Sequence, residues 1–127
     1  MRHIVTVLLV LVGIVNLLPL AGVLGAPQLE SLYGVAISEP NLVLLLRHRA
    51  VLLGLVGALL IYAAGRPAHR PAAIIAALVS MLSFVALAAL AEYNAYIHTV
   101  VVVDVVASLA LALAGFLQWQ QSNRGHP

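Results

Sequence analysis

Apolar residues in this chain form four long runs that are separated by short polar segments. The runs cover residues 4–24, 42–65, 72–91 and 97–119. A helix needs roughly 20 predominantly apolar residues to cross the hydrocarbon core of a bilayer, and each run meets that length. The pattern therefore predicts an all-α fold, a four-helix transmembrane bundle in which residues 1–127 form a single integral membrane domain.

The connections between the runs carry signals that start and stop helices. They read APQLESLYGVAISEP, GRPAHRP and EYNAYIH in chain order. Ser38 or Glu39 can cap the second span, because Pro40 fits the first turn of a helix. Gly65 is typical of a helix end, and Pro71 can open the third span.

The first run also has a second interpretation. Residues 1–26 contain an Arg, an apolar core and the small-residue stretch VLGA, which are features of a secretory signal peptide. The run is longer than a typical signal core, and Asn16 interrupts it. A retained first span is therefore the favoured interpretation.

Composition supports the membrane class. The chain is 64% hydrophobic and 8% charged, whereas a soluble domain carries about 25% charged residues. There is no Cys, which excludes disulfides and thiolate metal sites. The arginines form no basic patch with interleaved aromatics, so we expect no nucleic-acid partner.

The charges outside the spans predict an orientation. Four arginines fall on one side of the four-span arrangement and three glutamates on the other: Arg2, Arg66, Arg70 and Arg124, against Glu30, Glu39 and Glu92. The positive-inside rule then places both termini in the cytoplasm. Aromatic residues are expected at both interfaces, with Tyr33, Tyr93 and Tyr96 outside and Tyr62, Phe116 and Trp119 inside.

The second span contains LVLLLRHRAVLLG, in which three ionisable residues interrupt an apolar run. Arg47 lies roughly 7 Å inside the outer end of this span, at 1.5 Å per residue. Asp104, the only Asp, lies roughly 10 Å inside the outer end of the fourth span. Ionisable groups at such depths face the bundle and find partners, because an unpaired charge is costly there.

Helical spacing assigns faces to these residues. Arg47 is predicted to share a face with Ala50, Gly54, Ala58 and Ile61, Asp104 with Ser108, Leu111 and Gly115, and Ala73 with Ala76, Ser80, Ser83 and Leu87. The small residues Ala50, Gly54 and Ala58 would let helices approach closely. We expect Arg47, Asp104 and Asn16 to point into one interior, with Ser80 and Ser83 deeper.

Arg47, His48 and Arg49 cannot all face inward, because they are rotated by about 100° per residue. Arg49 is expected to snorkel toward the headgroups, or to pair with Glu39 or Glu92. Arg47 and Asp104 have a purely structural interpretation too, as a buried pair that fixes helix register.

His48 and His98 could come together at the outer mouth with Glu92 or Glu39, although local hydrogen bonds or an interfacial position are the favoured interpretation. Two His with a carboxylate are a candidate metal set, but no HxxxH or ExxH spacing is present, so we expect no metal. Motifs such as GxSxG, a Walker loop, GxGxxG and HExxH are absent, which disfavours an enzyme acting alone.

The order of a first span, LYG and a second span with RHRAVLLGLVG resembles the DoxX-like superfamily, whose second span starts with an Arg and spaced glycines. Arg47 or Arg49 with Gly54 and Gly57 carries the resemblance. It implies a small, uncharacterised multi-pass protein of the bacterial inner (plasma) membrane, and some such proteins associate with quinone-linked or sulfur-linked redox complexes. Some similar sequences are called phosphopantetheine adenylyltransferases, which are soluble α/β enzymes with an HxGH motif that this chain lacks.

These observations predict a ligand site in the outer half of the bundle, formed by Arg47, His48, Arg49, His98 and Asp104, edged by Glu39, Glu92 and Asn16. It would bind a small amphipathic molecule, a quinone or a lipid, or dock a membrane redox complex. Arg47 would supply a donor fork, and His48 or His98 could exchange a proton. The alternatives are a structural or assembly subunit without ligand, and a small transporter that works as a homo-oligomer.

Overall fold

The computed structural model describes residues 2–35, 39–92 and 94–124, which form five α-helices and two short 3-10 helices. The α-helices are α1 (Arg2–Leu17), α2 (Ala26–Tyr33), α3 (Pro40–Ala64), α4 (Arg70–Ala88) and α5 (Ala95–Arg124). Four stretches are long and apolar enough to cross a membrane: His3–Leu20, Pro40–Ala64, Pro67–Ala88 and Ala95–Arg124. The predicted all-α architecture with four candidate spans is confirmed.

The helix boundaries follow the local signals. The Glu39 carboxylate accepts hydrogen bonds from the backbone N–H groups of Asn41 and Leu42, at 3.1 and 2.9 Å, and so caps α3. Gly65 follows the last residue of α3, and Pro71 lies in the first turn of α4, as predicted. Ser38, the other candidate cap, lies outside the described residues.

The first span is less regular than predicted. Its α-helix ends at Leu17, and the chain continues as a 3-10 helix, Leu18–Leu24, with Pro19 in its first turn. Proline has no N–H to donate and disfavours an α-helical interior, which accounts for the change. The polar connection that follows contains a further helix, α2. It ends at Gly34, whose φ of +67° suits glycine.

The long helices form a ring in which α1 and α4 each pack against both α3 and α5. Neighbours in the ring run antiparallel. One end of the bundle, the termini end, holds the start of α1, the end of α5 and residues 65–69. The opposite end, the α2 end, holds α2, residues 89–92 and the starts of α3 and α5. The most deeply buried side chains between the helices include Leu9, Leu60, Met81 and Leu111.

The buried stripe of α3 differs from the predicted one. Its buried residues are separated mostly by steps of three or four: Ala50, Gly54, Gly57, Leu60, Ala63 and Ala64. Ala50 and Gly54 are buried as expected, but Ala58 and Ile61 are exposed. A row of i+4 steps drifts by about 40° at each step, so it leaves the contact face, whereas alternation of four and three stays on it.

The faces of α4 and α5 were predicted with unequal success. Ser108 and Leu111 of α5 are buried beyond Asp104, as predicted. On α4, Ala73 is buried, but Ala76 and Leu87 are exposed. The buried residues of α4 are instead Arg70, Ala73, Ile74, Ala77, Met81 and Ala88.

Candidate ligand site at the α2 end

Arg49 is the arginine that turns toward the interior. Its guanidinium donates a hydrogen bond from Nη1 to the Tyr33 hydroxyl. The guanidinium carbon lies 5.5 Å from the ring centroid of Tyr33 and 5.1 Å from that of Phe84. Both distances are within the range of cation–π attraction. Arg49 of α3 is therefore held between an aromatic ring of α2 and one of α4.

The prediction that Arg47 faces the interior is wrong. Arg47 and His48 are exposed, whereas Arg49 is partly buried. The sequence analysis assigned the inward face of α3 by counting mainly in steps of four residues from Arg47. Residues at such steps turn gradually around the helix, so they leave the face that contacts the other helices. The expectation that Arg49 snorkels outward, or pairs with Glu39 or Glu92, gives way to its contacts with Tyr33 and Phe84.

Asp104 and Arg49 line one cavity of about 170 Å³. Arg49 lies nine residues after Pro40, and Asp104 lies nine residues after Ala95. Both are therefore about 14 Å along their helices from the α2 end.

The rest of the cavity wall is mostly apolar and comes from α1, the first 3-10 helix, α2, α3 and α5. Its apolar residues are Val15, Leu18, Pro19, Leu53, Val100 and Val103. Its polar residues are Asn16, Tyr33, Arg49, Thr99 and Asp104. A small set of polar groups in an apolar wall is the usual construction of a small-molecule site.

Asn16 faces the interior, as predicted. Its side chain is only 5% exposed. Its amide nitrogen donates to the Val12 carbonyl at 2.9 Å and lies 3.9 Å from the Met81 sulfur. Asn16 thus brings α1 into contact with α4, the helix diagonally opposite in the ring.

Arg49 and Asp104 also line a second cavity of about 250 Å³. Ser80 and Ser83 of α4 line this cavity. Ser80 is partly buried, but Ser83 is exposed, so the prediction that both lie deeper in the interior is wrong for Ser83. A third cavity, of about 200 Å³, touches Arg49 and is otherwise lined by Tyr33, Val35, Leu42, Leu46, Phe84 and Ile97. Arg49 is therefore common to three cavities at the α2 end.

The other predicted site residues lie away from the cavity that Arg49 and Asp104 share. Glu92 and His98 are exposed, and neither lines that cavity. Glu39 is engaged at the start of α3, where the N–H groups of Asn41 and Leu42 hold the pKa of its carboxyl below its usual value. Within ranges 2–35, 39–92 and 94–124, no three His, Asp or Glu residues are grouped to hold a metal ion.

Tyr33, Phe84 and Thr99 are site residues that the sequence analysis did not assign. Tyr33 was expected at the membrane interface, but it is only 8% exposed. The signal was present, since Leu29 and Tyr33 are four residues apart in a segment that starts near Pro27 and ends before Gly34. An i, i+4 apolar pair between such signals indicates a short helix with one buried face.

The termini end contains a buried arginine. Arg70, expected in a cytoplasmic loop, is 3% exposed. Its Nη1 donates to Gln118 Oε1 at 2.9 Å, and its Nη2 donates to Thr6 Oγ1 at 2.9 Å and to the Ala64 carbonyl at 2.6 Å. One guanidinium thereby joins α1, α3, α4 and α5.

No protein-family model, curated protein or solved structure matches this chain.

Proposed function

We propose that this chain is a small multi-pass protein of the bacterial inner membrane that binds a small amphipathic molecule, a quinone or a lipid headgroup, at the α2 end. One observation carries the proposal. Arg49 and Asp104 lie at equal depth and line one cavity of about 170 Å³ whose remaining wall is mostly apolar. A cavity of about 150 Å³ accommodates a benzene-sized molecule, so the volume suits one ring.

The residues have distinct roles in this proposal. A guanidinium has five N–H donors, and the bond to Tyr33 uses one of them while the rings of Tyr33 and Phe84 hold its plane. Arg49 can therefore donate to an acceptor oxygen of a bound head from a fixed position. Asp104 accepts hydrogen bonds when ionised and can donate one when protonated, so it can orient either kind of group.

The proposed orientation keeps both termini in the cytoplasm. Arg66 lies in the 65–69 connection and Arg124 ends α5, so both lie at the termini end. Glu39 and Glu92 lie at the α2 end. Under the positive-inside rule, the ligand site would lie in the outer half of the bilayer. The resemblance to DoxX-like proteins supports the same location and is part of the proposal.

Native mass spectrometry of protein extracted gently from its own membranes tests the proposal. We expect a bound small molecule of defined mass on the wild type and its loss from Asp104→Asn. The exposed-site variant Glu92→Gln serves as the control and should retain the molecule. If Asp104→Asn kept the ligand as well as the control does, the cavity would not be the binding site.

A structural or assembly subunit is the second candidate. Arg49 joins α2, α3 and α4 through Tyr33 and Phe84, which is what a register-fixing residue would do. A wild type without any small molecule, but with a protein that co-purifies in fixed ratio, would favour this candidate.

A further inference from the structure

An apolar groove of about 340 Å³ runs between α1 and α5. Val12 and Ala107 form its buried floor, and Leu11 and Val106 form its exposed rims. Because both rims belong to candidate membrane spans, the groove opens toward the hydrocarbon of a bilayer. Its wall offers almost no polar atom, so its occupant must be apolar.

This groove continues from the cavity that holds Arg49 and Asp104. Val15 and Val103 line both of them. From this junction the groove extends toward the termini end as far as Leu8 on α1 and Ala110 on α5. Val15 and Leu8 are seven residues apart on α1, and Val103 and Ala110 are seven residues apart on α5. Each interval is about 10 Å of helix.

We infer that the groove holds the hydrocarbon tail of the same molecule whose polar head occupies the cavity. The inference rests on the proposed function and adds the class of ligand. The ligand is a single-chain amphiphile whose ring-sized head carries acceptor oxygens, and it enters from the bilayer between α1 and α5. The cavity, which contains polar side chains, is joined to the apolar groove. This arrangement matches a molecule with a polar head and an apolar tail.

Two features favour a neutral head on a single chain. Arg49 and Asp104 carry opposite charges when both are ionised, so their fields largely cancel at the cavity. A phosphate would face the Asp104 carboxylate, and like charges at close range repel. The groove between α1 and α5 provides room for one chain. These features favour a quinone-like ring with an alkyl or isoprenoid chain over a two-chain phospholipid.

Binding of two matched probes to the full chain in lipid nanodiscs tests the inference. One probe is a decyl-substituted 1,4-benzoquinone, and the other is the same ring without the chain. Val106→Trp fills the groove from its rim. Leu109→Trp is the control, because Leu109 is exposed on α5 to a similar degree, 67% against 61% for Val106, and does not line the groove.

We expect Val106→Trp to weaken binding of the decyl probe about tenfold, which corresponds to the loss of roughly two buried methylene groups. Binding of the chainless ring should change less than twofold under the same relation. Leu109→Trp should leave both affinities at the wild-type value. Partition into the nanodisc lipid is the same for every variant, so the ratios isolate the contribution of the groove.

The outcomes separate this inference from the proposed function. If neither probe bound the wild type, the proposed quinone site itself would fail. If both probes bound but Val106→Trp behaved as Leu109→Trp does, the site would stand and the tail assignment would be wrong.

Photocrosslinking tests the position of the tail in the wild-type protein, without any substitution. A diazirine at the end of the decyl chain should label peptides containing Leu8, Leu11 or Ala110. Labelling confined to α3 or α4 would place the tail elsewhere and overturn the inference.

Discussion

Arg49 and Arg47 have the same chemistry, and their surroundings alone assign them different roles. Arg49 lies between two aromatic rings and donates to the Tyr33 hydroxyl, while Arg47 is exposed. Packing against a ring also removes water from the guanidinium, which strengthens its electrostatic interactions. The rings of Tyr33 and Phe84 therefore fix the position of the Arg49 guanidinium, which is the proposed hydrogen-bond donor to the ligand.

Removing the Tyr33 hydroxyl should weaken this stack. We expect Tyr33→Phe to lower the free energy of unfolding by about 1–2 kcal/mol, because a hydrogen bond to a charged donor is lost while the ring remains. Unfolding by SDS in mixed micelles measures the effect. Tyr62→Phe is the control, since Tyr62 is exposed and its contact with the Arg66 guanidinium, at 4.2 Å, needs only the ring. Equal losses in both variants would contradict the account.

The sequence identified the type of site residue but not its position. It predicted that Arg47, with Asp104 and Asn16, belongs inside, whereas the cavity contains Arg49, Asp104 and Asn16. The choice between Arg47 and Arg49 depends on a rotation of about 200° and on partners from α2 and α4. Those partners, Tyr33 and Phe84, come from distant parts of the chain, so periodicity within one span could not reveal them.

At the scale of the helix, α3 depends on its first turn and on its crossing with α1. Glu39 caps the first turn, and the N–H of Asn41, then that of Leu42, holds the pKa of Glu39 below its ordinary value of 4.5. A group with a lowered pKa in the folded state stabilises the fold above its unfolded pKa. That contribution is lost as the pH falls through the lower folded pKa.

This cap predicts a specific pH dependence. Glu39→Gln should be less stable than the wild type at neutral pH, and the difference should shrink as the pH falls below 4.5. Unfolding in micelles across that range measures both proteins. Glu92→Gln, at an exposed glutamate outside any helix, serves as the control variant. A stability difference for Glu39→Gln that did not depend on pH would exclude the charged cap.

The crossing of α1 and α3 requires glycine on both sides. A Cβ at Gly57 would lie 2.5 Å from the Gly13 carbonyl oxygen, and a Cβ at Gly13 would lie 2.9 Å from the Gly57 carbonyl oxygen. Both clashes involve backbone, so neither is relieved by a side-chain rotation. The helices are therefore in backbone contact at this point.

Gly57→Ala should force these helices apart. We expect a loss of about 1–3 kcal/mol of unfolding free energy, the usual cost of overpacking, measured by SDS unfolding. Gly65→Ala is the matched control, because its Cβ would be 4.0 Å from the nearest atom, the Tyr62 carbonyl oxygen, and its φ of −87° suits alanine. A Gly57→Ala protein as stable as the control would show that the crossing is looser than described.

At the scale of the whole molecule, two arginines organise opposite ends of the bundle. Arg49 is placed beside cavities at the α2 end, whereas Arg70 is enclosed at the termini end by hydrogen bonds to α1, α3 and α5. The number and approximate limits of the four spans were predictable, because they depend on apolar length alone. The Arg70 cluster was not, because its partners Thr6 and Gln118 carry no distinguishing sequence pattern.

Arg70→Lys should destabilise the whole bundle. A lysine has one nitrogen, which cannot replace the separate Nη1 and Nη2 contacts of Arg70. We expect a loss of about 3 kcal/mol, since hydrogen bonds to charged groups contribute about 1.5–3 kcal/mol each. Thermal unfolding in detergent checks this. Arg66→Lys, at an exposed position, should have a much smaller effect, and similar losses at both positions would contradict the assignment.

Ligand binding by variants of the two neighbouring arginines, Arg47 and Arg49, tests whether Arg49 is the donor at the cavity. Titration of a chainless 1,4-benzoquinone into the wild type, Arg49→Gln and Arg47→Gln in nanodiscs separates the residue at the cavity from the exposed one. We expect Arg49→Gln to lose affinity at least about tenfold, as for one hydrogen bond from a charged donor, and Arg47→Gln to change it less than about twofold. Equal affinities in all three proteins, or a greater loss in Arg47→Gln, would contradict this role of Arg49.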